Sequence, residues 1–199
     1  MSVTDWISLL LLLLFVFSYI FKILWVKKRN NIKVDVLAKG SKDFSLFRIE
    51  LLVRISSSLW VVTWIFEILY HSQISTIVDS FFSNSYISFL GLGLTVLGVC
   101  LFISAVIYMK NSWRVGIDKQ TKTTLITDGI YQVSRNPAFV GFYFMFLGSF
   151  VSYANLWTLF VLLLNVIVFH LLVLQEEKHL LLMFGEEYMS YKQKVPRYY

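Results

Sequence analysis

The stretch "ITDGIYQVSRNPAFVGFYFMFLG", Ile126 to Gly148, decides how this chain folds. Its first third is polar and carries the turn signal Asp128-Gly129, its last two thirds are apolar, and Arg135, Asn136 and Pro137 stand between them. Asn is a favourable N-cap, and Pro fits the first helical position, where its missing amide hydrogen costs nothing. The doorway therefore reads as a helix start, with "IYQVSR" leaving room for barely two helical turns before it.

Working outward, the run from Phe139 to Leu174 is too long for one membrane crossing, which takes about 20 residues. "SYANLW", Ser152 to Trp157, supplies polar, turn-forming residues at its middle, so the run is expected to be two tightly joined crossings. Upstream, Trp6 to Val26, Ile49 to Tyr70 and Tyr86 to Met109 each supply a further span. A composition that is 57% hydrophobic and only 15% charged excludes an ordinary soluble domain. The expected fold class is all-α: an integral membrane bundle of five transmembrane helices with a C-terminal amphipathic cytoplasmic helix. That last helix is read from Leu180, Phe184, Tyr188, Tyr191 and Val195, which recur at three- to four-residue spacing. Residues 1–110 form the anchoring part and its basic loop, and residues 111–199 carry the chemistry.

Charge placement tests the span count, because Lys and Arg collect in short cytoplasmic loops. The loop after the first span holds Lys27, Lys28, Arg29, Lys33, Lys39 and Lys42, and the loop after the third holds Lys110, Arg114, Lys119, Lys122 and Arg135. The N-terminal stub, the segment His71 to Ser85 and the turn near Asn155 have no Lys or Arg. The N-terminus is thus expected outside and the tail, with Lys178, Lys192, Lys194 and Arg197, in the cytoplasm. Topology and anionic lipid headgroups account for the net charge of +6, and nucleic acid is not needed to explain it. The first span lacks a basic N-terminal region and a cleavage site, which makes it a retained anchor.

Little chemistry is expected in the first three spans. Gly91, Thr95 and Gly98 suit close helix approach, and Cys100 suits packing. Arg54 and Glu67 lie near span ends, where they can snorkel or pair. The scattered His71, His170 and His179 and the single cysteine offer no metal site, and no Gly-rich phosphate loop occurs. The cytoplasmic helix start at Pro137 is different, since its unpaired amides favour an anion and Arg135 adds a bidentate guanidinium. Glu176 and Glu177, where the last span leaves the lipid, answer from the same side.

The blocks "TLITDGIYQVSRNPAFVG" and "EEKHLLLMFGEEYMSYKQKVPRYY" resemble the isoprenylcysteine carboxyl methyltransferase family and its phospholipid methyltransferase relatives, small membrane enzymes that use S-adenosyl-L-methionine. The resemblance runs from about Asn111 to Arg197 and rests on Gly-x-Tyr, Arg-x-Pro, Glu-Glu and Phe-Gly-Glu-Glu-Tyr in order. It implies that Thr123, Thr124, Leu125 and Ile126 border the cofactor, that Tyr131 contacts it, and that Asn136, Pro137, Ala138 and Phe139 hold it, with Glu176 closing the pocket. The chain departs from the family at Asn136, usually His, and at Phe139, usually Tyr. Leu172 stands where the animal prenylcysteine enzymes carry a substrate-engaging Arg.

This cofactor suits the residues themselves. Its carboxylate matches Arg135 and the helix amides, its ammonium and ribose match Glu176 or Glu177, and its sulfonium matches the ring of Tyr131 or Phe139. The expected reaction is methyl transfer to a lipophilic acceptor from the bilayer, prenylated or lipid, with Arg135 and Glu177 as catalytic residues. For a carboxylate acceptor those two orient and neutralise; for an amine, Glu177 or His170 must take a proton. The alternatives are a phospholipid or amine N-methyltransferase and a non-catalytic lipid-binding scaffold.

Overall fold

A computed structural model describes residues 1–30, 34–82, 84–118 and 124–199. Thr123, with Lys33, Lys119 and Lys122 of the charge pattern, lies outside the described residues. The chain forms α1 (Val3–Asn30), α2 (Phe44–Ile77), α3 (Ser85–Tyr108), α4 (Pro137–Ser152), α5 (Leu156–Phe184) and α6 (Glu186–Lys194), with single 3-10 turns at Lys110–Ser112 and Gly129–Gln132. Among the described residues there is no strand, only an isolated bridge between Asp35 and Val115. Four helices, α1, α2, α3 and α5, are long and apolar enough to cross a membrane. The fifth, α4, has 16 residues; at 1.5 Å per residue it spans about 24 Å, short of a hydrocarbon core of about 30 Å.

The expected ends of α3 and the start of α4 match within two residues, whereas α1, α2 and α5 extend beyond the expected spans, α5 as far as Phe184. Tyr70, where the second span was expected to end, is a non-helical break (φ −124°, ψ 15°), beyond which α2 runs on to Ile77. The joint between α4 and α5 is a capping box in which Asn155 accepts from the Thr158 amide and Thr158 Oγ1 accepts from the Asn155 amide. The C-terminal stripe, by contrast, is not one helix. Gly185, at φ +51°, ends α5 and opens α6 in a backbone region that favours glycine. Leu180 and Phe184 come from α5, Tyr188 and Tyr191 from α6 and Val195 from beyond it, and they close with Leu125 into a small core of their own.

The seam between α3 and α4 is the closest helix approach. A Cβ built on Gly98 would lie 2.6 Å from the Gly141 carbonyl, and one on Gly148 would lie 2.3 Å from Thr95 Oγ1. Small residues let backbones touch, which in lipid replaces the hydrophobic driving force available in water. Cys100 takes no part in this seam. Its position on α3 falls on the outward face and it is exposed, which corrects the packing role expected for it.

Polar groups gather at the two ends of the bundle. At one end Tyr153 Oη donates to Asp5 (3.2 Å) and Asn155 Nδ2 donates to the buried Glu67 (2.7 Å), bringing the N-terminus, the end of α2 and the α4–α5 joint together. At the other, Arg54 reaches back to Asp35 (3.0 Å) and the Leu37 carbonyl (2.6 Å). Beside it Glu50, fully buried, accepts from the Ala38 amide, the Ile117 amide and Lys42 Nζ, tying the segment after α1 to the segment after α3.

The seam makes a direct prediction. Gly98→Ala should destabilise the protein in detergent by about 1–3 kcal/mol, the usual cost of overpacking. Gly93→Ala, on the open face of the same helix with nothing within 4 Å, should leave the melting temperature unchanged or slightly raised.

Candidate functional site

Asn136 does precede the first residue of α4 and Pro137 does open it, but the Asn136 side chain makes no cap hydrogen bond. It turns instead toward α5, where Asn136 Nδ2 donates to Glu177 Oε1 (3.2 Å). Arg135 follows the same direction. Its Nε and Nη2 both donate to Glu177 Oε1 (3.2 and 2.8 Å), and its Nη1 donates to the carbonyls of Val195 (2.6 Å) and Lys192 (3.2 Å). Arg197, from the tail, completes the cluster by donating Nη2 to Glu177 Oε2 (2.9 Å) and Nε to Oε1 (3.1 Å).

The tail is thereby laid across the doorway. The Arg135 amide donates to the Pro196 carbonyl (3.0 Å), and Ser134 Oγ to the Arg197 carbonyl (3.2 Å). Beyond it, Tyr198 Oη meets His170 Nδ1 (2.8 Å) and Tyr143 Oη (3.2 Å), so His170 is hydrogen-bonded within the bundle. The Glu177 carboxylate beside Arg197 raises that guanidinium's pKa further, keeping the contact charged at any physiological pH.

Behind this clasp lies a cavity of about 650 Å³. Of the residues expected at the site, Thr124, Leu125, Ile126, Tyr131, Arg135, Asn136, Ala138, Phe139 and Glu176 line it. Pro137 and Glu177 do not: Pro137 is buried in the helix start and Glu177 sits behind Arg135 in the ion cluster. The two adjacent acids therefore part company. Glu176 borders the cavity and makes no hydrogen bond or ion pair among the described residues, whereas both oxygens of Glu177 are engaged.

Tyr131 is held on the 3-10 turn, its carbonyl accepting from Tyr191 Oη (2.6 Å). Burial first, then the charge of Glu176, drive the Tyr131 phenol far above its ordinary range, so it remains a neutral hydroxyl. Ser112 and Thr124 share a hydrogen bond (3.2 Å) on the same wall.

Part of the remaining lining comes from the first two helices, where little chemistry was expected, and part from the segment after α3. Phe15, Tyr19 and Ile20 of α1 and Ser57, Ser58 and Val62 of α2 form one wall. Trp113, Arg114 and Gly116 form another. Tyr19 meets Trp113 edge-on (5.7 Å), while Phe15, Phe102 and Phe142 pack edge to face at the bottom. Ile20, Ser58 and Val62 are also exposed on the outer surface, so the cavity opens sideways between α1 and α2. Nothing in the apolar spacing of α1 or α2 distinguishes a cavity wall from a lipid-facing one. "NSWRVG", Asn111 to Gly116, carried only a single basic residue to mark it.

Comparison with known proteins agrees with these blocks. The phospholipid methyltransferase family model matches residues 86–187. Protein-S-isoprenylcysteine O-methyltransferase of Mus musculus is 33% identical over 115 residues, 56% of this chain and 41% of its own. The Schizosaccharomyces pombe protein of the same name is 36% identical over 113 residues, covering 53% and 46%. The B protein of Arabidopsis thaliana is 30% identical over 116 residues, covering 56% and 58%. The chain spans about half the length of these relatives. In fold it is similar to the solved structure of the eukaryotic intramembrane Ras methyltransferase ICMT (isoprenylcysteine carboxyl methyltransferase). That match has a TM-score of 0.56 at 20% identity and covers 90% of this chain and 61% of that one. With its family model spanning just over half of its length, and with both blocks around one cavity, the chain belongs to the phospholipid methyltransferase family.

Proposed function

We propose that this protein is an S-adenosyl-L-methionine-dependent methyltransferase that esterifies the carboxylate of a lipophilic acceptor, as the name of its isoprenylcysteine O-methyltransferase relatives describes for them. One observation carries the reading: residues from both family blocks line a single cavity that also opens sideways between two apolar helices. A polar cofactor then arrives from the cytoplasm and an apolar acceptor, prenylated or lipid, from the bilayer.

The residues present fit the cofactor. Glu176, a carboxylate without a hydrogen-bond or ion-pair partner among the described residues, suits its ammonium or ribose, and Tyr131 and Phe139 offer rings to a cation. Leu125, Ile126, Asn136 and Ala138 form the remaining wall, with Thr124 beside them. Bound there, S-adenosyl-L-methionine would supply an electrophilic methyl group. The protein's own task is alignment and exclusion of water. An acceptor carboxylate is already ionised at neutral pH, and a water-poor cavity strengthens its attraction to a cation.

Arg135 and Glu177, expected as catalytic residues, enter this proposal as a pair with divided duties. Arg135 lines the cavity, and Glu177, which holds four of its neighbours' N–H bonds besides one from Asn136, is a positioning residue. We place the membrane accordingly: five crossings with α4 as the short one, the Asp5–Glu67 end outside, and the Glu50, Arg135 and tail end in the cytoplasm. Support comes from the Lys and Arg residues, which flank the second end and are missing from the first.

A second reading, transfer to an amine of a phospholipid, is favoured by Leu172. That buried side chain lines the cavity where an Arg for a substrate carboxylate is expected.

Purified protein in nanodiscs should bind S-adenosyl-L-methionine saturably by calorimetry, and no binding at millimolar cofactor would end the methyltransferase reading. Glu176→Gln should weaken that binding by about 10- to 100-fold, the scale of a charge-assisted hydrogen bond. With labelled donor, a methyl ester product releases its label in mild base and a methylamine keeps it, which separates the two acceptor readings. Glu177→Ala leaves the buried Arg135 guanidinium unpaired and should cost about 3–5 kcal/mol. Carboxypeptidase should then remove the tail beyond Lys194 far faster than from the wild type.

A further inference from the structure

Two guanidinium groups line the cavity, Arg114 and Arg135, and they are in different states. All three nitrogens of Arg135 are engaged, by Glu177 and two backbone carbonyls. Arg114 is buried, with its side chain 8% exposed, but it is incompletely bonded. Its Nη1 donates to the carbonyls of Asn111 (2.7 Å) and Trp113 (2.8 Å), which fixes the plane of the group. Among the described residues neither its Nε, which is enclosed, nor its Nη2 makes a hydrogen bond, and Nη2 is the open donor that a ligand in the cavity can reach. Asp118 stands 3.6 Å from Nε, close enough to offset charge and too far to accept its hydrogen. A buried N–H of a cation left without an acceptor is costly, and an arrangement that fixes the guanidinium while leaving a donor open is suited to a ligand.

The surroundings define the ligand. Trp113, the preceding residue, packs on Tyr19 of α1, so Arg114 adjoins the aromatic wall that leads to the sideways opening at Ile20, Ser58 and Val62. A molecule lying there has an apolar tail toward the bilayer and its charged end toward the guanidinium. The cofactor has a different counterpart in the cavity, the carboxylate of Glu176, which no described residue pairs.

We propose that Arg114 holds the anionic head of the acceptor, an oxyanion at the end of a lipid-like chain, and so does the work that Leu172 cannot. The proposal rests on the methyltransferase reading for the word acceptor; the anion site itself does not depend on it. The oxyanion can be the carboxylate of a prenylated cysteine or the phosphate of a lipid, and a planar guanidinium grips either one.

The test is a binding titration read by tryptophan fluorescence, since Trp60 and Trp113 line the cavity. Three probes are compared: N-acetyl-S-farnesylcysteine, its uncharged carboxamide, and a short-chain phosphatidic acid. Wild-type protein should bind at least one of the anions about 10-fold more tightly than the carboxamide, and whichever anion is preferred names the head group. Arg114→Met should abolish that preference while cofactor affinity stays within about twofold, and Arg114→Lys should retain part of it. Should Arg114→Met not fold, Arg114→Lys and the wild-type comparison of charged with uncharged probe decide the matter. Equal binding of all three probes by the wild type, or a preference that survives the loss of Arg114, overturns the proposal. So does a loss confined to cofactor binding, which would move Arg114 to the other ligand. If the wild type binds no S-adenosyl-L-methionine yet shows an Arg114-dependent anion preference, the methyltransferase reading falls and the anion site stands.

Discussion

The carboxylate of Glu177 is the interaction on which one end of this molecule depends. It receives N–H groups from Arg135, Asn136 and Arg197, three residues that belong to the start of α4 and to the tail. A buried carboxylate is tolerable only when paired, and a buried guanidinium is equally so. Mutual need therefore joins α4, α5 and the last residues into one clasp, with the carbonyls of Lys192 in α6 and of Val195, Pro196 and Arg197 in the tail accepting further N–H and O–H groups from Ser134 and Arg135.

Adjacent residues on a helix point about 100° apart, and that rotation separates the roles of two identical side chains. Glu177 faces the clasp, and Glu176 faces the cavity. One carboxylate is consumed by structure so that its neighbour stays open for a ligand. Arg114 and Arg135 repeat the division among the cations, one bonded through Nη1 alone and the other through all three nitrogens. Away from the clasp, Glu50 serves as a second internal counter-ion. It gathers backbone amides from two segments that neither helix propensity nor apolar patterning would bring together.

The membrane-depth part of the fold obeys a simpler rule. Backbone polar groups are satisfied inside each helix, so association depends on how closely the helices can approach. The glycines at 91, 98, 141 and 148 supply that closeness between α3 and α4. The less intimate contact of α1 with α2 leaves a gap lined by Ile20, Ser58 and Val62, and that gap is the sideways opening of the cavity.

Local chemistry determined the entry to α4 and the joint to α5, but not the far ends of α2 and α5, which run on to Ile77 and Phe184. Pro137 opens α4 and Asn155 caps α5. The two-block signature likewise singled out most of one cavity wall, because the residues that hold a ligand there lie close together in the chain. Three things could not be read this way: that Asn136 abandons its cap for Glu177, that Arg197 joins the same carboxylate, and that Glu50 and Arg114 matter at all. Each depends on which distant group fills a hydrogen bond. Position and residue type say what a side chain is able to bind, but only the packing of remote segments against one another decides which partner is within 3 Å and which donor is left over.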